Sequence, residues 1–258
     1  MNNRSAQRPY RCHIARRLVR PLVGFLLCIG GLCVGAVGTA ASASATSSDS
    51  DSSRDSDYSY SSYDDFEPPV FNGCELVPGT QCANMDLSGG DFSNLDLQGA
   101  NFAGSNLDNA DFRHSNLRSV DFEGASLRHA NLNRARMPNT HLRGADLSYA
   151  SLIGLDSWSI YAQGATFDHA DLTGANLEFA RLTGASMQET ILLGSNLEMA
   201  WMNKVNLIGA DLRDANLQEV KMNITRLNNA DMTGARIHYG NFQLAQMEGC
   251  TACPFDWD

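Results

Sequence analysis

Residues 99–112 read GANFAGSNLDNADF, and within them Phe102, Leu107 and Phe112 fall five apart with small or polar residues between. A helix returns its apolar face every 3.6 residues and a strand every 2, so neither accounts for a period of five. Working outward in steps of five, the period runs from Leu87 to Met247, which makes 33 positions. All are Leu, Phe, Met or Ile except Ser157 and Ala162. Two residues before each, 29 of the 33 are Ala, Gly, Ser, Thr or Val, the exceptions being Met85, Leu95, Leu155 and Ile160. The residue just before the large one is often acidic or an amide, as at Asp91, Asp96, Asn101, Asn106 and Asp111. The phase never slips, and a fixed internal period is the mark of a solenoid.

The stretches GADLS at 144–148, HADLTGANLE at 169–178 and GADLRDANLQ at 209–218 carry the motif A(D/N)LXX. In these residues the chain resembles the pentapeptide-repeat family, over about 85–249. The resemblance implies an all-β fold, a right-handed quadrilateral β-helix in which four pentapeptides make one square coil. The large residue and the small one two before it would point inward, and the other three would face solvent.

Elementary packing agrees with that expectation. Residues one coil apart would stack at about 4.8 Å, the spacing of hydrogen-bonded strands. So narrow a tube holds one large side chain per side only beside a small one. Phe92 would lie under Phe112 and Phe102 under Phe122, aromatic on aromatic. Just over eight coils would make a rod of about 40 Å. A tube filled by its own side chains has no internal cavity for a substrate. Function is therefore expected on the outer faces, at the ends or at a bulge.

The repeat weakens once, at GLDSWSIYAQG, residues 154–164. Two readings stand: a coil repacked with reversed sizes, or a bulge displaying Trp158 and Tyr161. Elsewhere the outer residues read as columns by adding one coil. Tyr161, Arg181, Trp201 and Lys221 alternate aromatic with cation, at stacking distance. Ile153, Thr173 and Leu193, with Ile191 beside them, form an apolar group, and Phe179 with Met199 a smaller one. The candidate partner surface is Trp158, Tyr161, Arg181, Trp201, Lys221, Ile153, Ile191 and Leu193. His129, Tyr149, His169 and Glu189 form another column. Its two imidazoles lie two coils apart, about 10 Å, too far to share one metal ion. Asp108 stands one coil from Arg128 and reads as a cross-coil ion pair. Asn223-Ile224-Thr225 is a glycosylation sequon in form only.

The two ends differ in kind from the repeats. Six of the 19 Lys and Arg residues and none of the 29 acids lie in residues 1–45, leaving a net charge of −16 for the remainder of a chain whose total is −10. Arg11, Arg16, Arg17 and Arg20 precede the apolar run LVGFLLCIGGLCVGAV, and small residues follow at Ala41-Ser42-Ala43 and Ala43-Ser44-Ala45. This is the layout of a cleaved export signal. The rival is an uncleaved membrane anchor, since Leu22–Ala41 is just long enough to span a bilayer. Residues 46–70 begin with a Ser/Asp-rich run that reads as a disordered acidic linker.

Four cysteines outside the signal segment flank the repeats: Cys74 and Cys82 in a cap at 71–84, Cys250 and Cys253 in a cap at 250–258. Eight coils would hold the pairs about 40 Å apart, which leaves only the disulfides Cys74–Cys82 and Cys250–Cys253. An exported chain favours such bridges. The alternative for Cys250–Cys253, a redox-active CxxC, lacks the helix N-terminus that activates a thiol.

No nucleophile–base constellation, phosphate loop or metal-ligand cluster is in register, so an enzyme is not expected and no cofactor is implied. An acidic body repels nucleic acid. The reading is an exported, periplasmic or extracellular scaffold that binds an unidentified protein through its outer faces. The alternative is an acidic rod that mimics duplex DNA and protects a type II topoisomerase, as some members of the resembled family do. The export signal and the short EGCTACPFDWD terminus argue against it.

Overall fold

A computed structural model describes residues 67–254. The expected signal or anchor at 1–45 and most of the 46–70 linker lie outside the described residues.

From Gln81 onward the chain is a right-handed quadrilateral β-helix, and no helix interrupts it among the described residues. Thirty-one bridges, from Gln81↔Asn101 to Asp231↔Thr251, are all parallel and all join residues 20 apart. Three hydrogen bonds per pentapeptide tie each coil to its neighbours. In one pentapeptide the N–H groups of Leu87 and Gly89 donate to the carbonyls of Asn106 and Asp108, at 2.7 and 2.8 Å. In the next, the Asp111 N–H donates back to Gly90 at 2.9 Å.

Each side ends in a turn, as where the Ala100 N–H donates to the Leu97 carbonyl across 3.0 Å. The third residue of the turn has positive φ, +70° at Gly99, as a type II turn demands. Glycine takes this corner most cheaply, yet His129, Phe179 and Ile224 also hold it, at +58°, +57° and +58°. Ile224 is β-branched and unfavourable there. Its N–H donation to Gln243, at 2.8 Å, keeps it in register.

The acid or amide before the large residue also acquires a reason. The N–H two residues on is not used by the ladder, and this side chain accepts it: Asp91 Oδ1 from Ser93 at 3.0 Å, Asp171 Oδ1 from Thr173 at 2.9 Å. Where Ser or Lys occupies that position, a residue of the preceding coil substitutes. Asn133 accepts from Ile153, Asp168 from Gln188 and Asn203 from Asn223. Asp108 belongs to this set. It accepts from the Arg128 backbone N–H at 3.0 Å and from Ser126 Oγ, so the expected Asp108–Arg128 ion pair does not form. The Arg128 guanidinium turns instead to Asp146, 3.4 Å away.

Four walls enclose the core. The first is centred on Phe92, Phe112 and Leu132, the second on Leu97, Leu117 and Met137. The third is centred on Phe102, Phe122 and Leu142, opposite the first, and the fourth on Leu107, Leu127 and Leu147, opposite the second. Phe92 stacks on Phe112 at 4.7 Å and 12°, and Phe102 on Phe122 at 5.5 Å and 15°. The two stacks meet edge to face across the tube, Phe112 to Phe122 at 5.8 Å. Hydroxyls among the small core residues are satisfied by carbonyls, as Thr140 Oγ1 is by Leu117 at 2.8 Å.

The coil at 154–164 is repacked, not bulged. Asp156 and Tyr161 keep their bridges to Asn176 and Arg181. Leu155, Ser157, Ile160 and Ala162 are all buried. Large and small residues have exchanged places, and Ser157 Oγ donates to the Asn176 carbonyl at 2.9 Å.

A two-residue hairpin covers the first coil. Its strands, β1 (Val70–Phe71) and β2 (Cys74–Glu75), pair antiparallel across Asn72-Gly73. Both turn residues have positive φ, +47° and +83°, the signature of a type I′ turn. The hairpin starts at Val70, one residue inside the stretch read as linker. Phe71 meets Phe92 edge-on at 5.9 Å. A Cβ on Gly90 would stand 2.6 Å from the Phe92 ring and 3.0 Å from that of Phe71, so this position admits glycine alone.

Candidate interaction faces

The interior offers nothing to a ligand. From Leu87 to Met232 every central side chain is at most 1% exposed. The chemistry of the molecule is that of its walls and ends.

The third wall carries the aromatic–cation ladder at its bridge positions. The Arg181 guanidinium carbon lies 4.9 Å from the Tyr161 ring centroid and 5.9 Å from that of Trp201. Lys221 Nζ caps the far side of Trp201 at 4.4 Å. His141, which the step of one coil would also have found, extends the ladder downward against Tyr161 at 5.1 Å. The apolar group lies on the opposite, first wall, where Ile153 and Ile191 are 41% and 39% exposed and Leu193 is half-buried. Trp158 stands on the second wall between them, 39% exposed. The eight residues taken together from sequence therefore belong to three walls and do not form one patch.

At the corner of the fourth wall, Tyr149 is sandwiched between His129 and His169 at 5.1 and 4.7 Å. His169 Nδ1 faces Glu189 Oε2 at 3.3 Å. A phenol ring between the two imidazoles leaves no common ion position.

Electrostatics follow the same architecture. The Arg113 guanidinium holds the Asp111 carboxyl below the usual carboxylate range, and Arg213 does the same for Asp211. Hydrogen bonds from the side chains of Ser88 and Thr233 lower Asp86 and Asp231. The sequon at Asn223 is closed, because Thr225 is fully buried and its Oγ1 donates to the Met202 carbonyl.

The model of the family of pentapeptide repeats matches residues 96–134, 125–156, 163–198 and 190–223, in eight copies. The chain belongs to the pentapeptide-repeat family. The matched segments stop at 156 and resume at 163, and the gap contains both Ser157 and Ala162. Solved pentapeptide-repeat proteins resemble this one. They include Rfr23 from the cyanobacterium Cyanothece 51142, at 27% identity over 35% of this chain and 63% of that one, with a TM-score of 0.35. HetL of Nostoc sp. strain PCC 7120, involved in heterocyst differentiation regulation, is 25% identical over 67% of this chain and 90% of its own, with a TM-score of 0.35. QnrB1, a plasmid-mediated fluoroquinolone resistance protein, is 17% identical over 65% and 89%, with a TM-score of 0.46. The chain thus spans less than two thirds of the first of these. No curated protein matches it.

Pentapeptide-repeat proteins are generally structural or interaction proteins, and the core of this chain is closed from Leu87 to Met232. At its ends, Cys74 and Cys82 lie with Cα atoms 5.6 Å apart, and Cys250 and Cys253 5.8 Å apart, both within the span a disulfide bridges. Cys74, Cys82 and Cys253 are buried; Cys250 is half-buried. The hairpin that carries Cys74 is the element sequence reading missed. Asn72-Gly73 between Phe71 and Cys74 was the signal for it.

Proposed function

We propose that this protein is an exported, non-catalytic scaffold that binds another protein through its outer walls, with its caps bridged as Cys74–Cys82 and Cys250–Cys253. The observation that carries the reading is the closed interior: with every central side chain from Leu87 to Met232 buried, only the walls and ends remain for recognition. The basic-then-apolar start of the chain supports export, and an oxidising compartment suits the two cysteine pairs.

The test has two parts. Alkaline phosphatase, active only outside the cytoplasm, is fused after Asp258; activity supports export and its absence removes that element. A photo-crosslinking amino acid is then placed at Ile191 or Trp158 of the full chain in its native host. A discrete crosslinked protein supports the scaffold. Turnover of a small molecule by the purified chain, with no crosslink from any wall, overturns it. The duplex-mimic reading draws on the charge of −10, but the third wall bears no acid from His141 to Leu244, which weighs against an acidic surface on all sides.

A further inference from the structure

The third wall departs from the rest of the molecule in charge. Each of the other walls holds more acids than bases, whereas this one carries Arg143, Arg181, Lys204 and Lys221, with its two acids, Asp121 and Glu123, confined to the coil below His141. None of those four cations is ion-paired among the described residues. On the other walls Arg113, Arg128, Arg136 and Arg213 each face a carboxylate within 4 Å, whereas Arg118, Arg134, Arg226 and Arg236 share those walls with a majority of acids. Four unneutralised cations on one side of an acidic rod form an electrostatic site for an anion.

The shape of the wall says what sort of anion. The ladder of Tyr161, Arg181, Trp201 and Lys221 stands along one margin, with Trp201 48% exposed. Beside it runs a row of short polar side chains, Gln163, Thr183, Asn203 and Asn223. Beside the ladder the corner beyond is Gly164 and Gly184, with open space where each Cβ would be, and then Lys204 and Ile224. The result is a shelf parallel to the rod axis, backed by the ladder, that suits a thin, straight chain.

We infer that this shelf binds an acidic protein segment in the polyproline II conformation, with a carboxylate at every third residue. The inference rests on the scaffold reading and names its partner. Successive cations of the ladder, Arg181 and Lys221, are two coils apart, about 9.6 Å. A polyproline II chain advances about 9.3 Å in three residues and returns the same face at that step. A β-extended segment presents one face every two residues, about 6.8 Å, and falls out of phase. The carboxylates meet Arg181 and Lys221, and the residues between them rest against the edge of Trp201. The free carbonyls of such a chain accept hydrogen bonds from the amides of Gln163, Asn203 and Asn223. Nucleic acid fits poorly. A strand carries a phosphate about every 3.4 Å, and the acidic neighbouring walls repel so dense a charge.

The test uses the full chain and fluorescein-labelled (Glu-Pro-Pro)5, followed by anisotropy at low ionic strength. The expected result is saturable binding, at least tenfold tighter than to a peptide of equal length and charge with Glu at alternate positions. Binding falls at least tenfold in Arg181→Glu and Lys221→Glu and is unchanged in Arg136→Glu on the second wall, all three melting as the parent does. Equal affinity for both peptides, indifference to Arg181→Glu, or tighter binding of oligo-dT or an acidic polysaccharide overturns the inference. A crosslinked partner at Ile191 alongside failure of the peptide would leave the scaffold standing and this wall without the role.

Discussion

Asp91, Asp111 and Asp211 look like surface charge in the sequence, yet each carboxylate caps a backbone N–H that the coil-to-coil ladder leaves over. The corner residue three places further on has the matching constraint of positive φ. Gly174 sits there at +63° with open space around a built Cβ, so Gly174→Val tests backbone cost alone. It should destabilise by about 1–2 kcal/mol, read from the urea midpoint. Acid stability follows from the same carboxylates. Asp111 and Asp211 are lowered by Arg113 and Arg213, so their contribution is present above the unfolded value near 3.8 and is lost as pH falls through the lower folded values. The melting temperature should fall below about pH 4. The Asp111→Asn/Asp211→Asn double variant keeps an acceptor for the backbone but loses the charge. It should melt lower than the parent at pH 7, by a gap that narrows as pH falls below 3.8.

Among elements, the coil at 154–164 shows that the volume of a core layer matters more than the place of each side chain. Leu155 and Ile160 fill the small positions, and Ser157 and Ala162 vacate the large ones. Ala162→Leu alone overfills the layer and should cost about 1–3 kcal/mol. Adding Ile160→Ala restores the ordinary pattern and should recover most of that loss, a non-additivity that chemical denaturation of the four variants will measure. The cap works by a different device. A type I′ hairpin at Asn72-Gly73 swings Phe71 onto Phe92 and covers the open end of the aromatic stack.

For the whole molecule, a solenoid tied only to its nearest coils should tolerate the loss of one coil but not the loss of register. Deleting residues 166–185 removes one full turn and preserves every column. The product should fold, with an unchanged far-ultraviolet spectrum and a rod shorter by about 4.8 Å in small-angle scattering. Deleting 17 residues from the same start breaks the period of five and should leave no cooperative melt.

The fold could be read from sequence because the five-residue period of Leu87 to Met247 is local: each side chain's direction follows from its phase. The stacking of Phe92 on Phe112 and the ladder of Tyr161, Arg181, Trp201 and Lys221 follow from that phase by counting one coil. What counting could not supply was competition between neighbours. Asp108 had two candidate uses, an ion pair with the Arg128 guanidinium or a cap on its backbone, and only the packed coils put the N–H nearer. Nor does phase say what covers the open end; tertiary structure laid Phe71 on Phe92, because the Asn72-Gly73 turn folds the chain before the first repeat back over the aromatic stack.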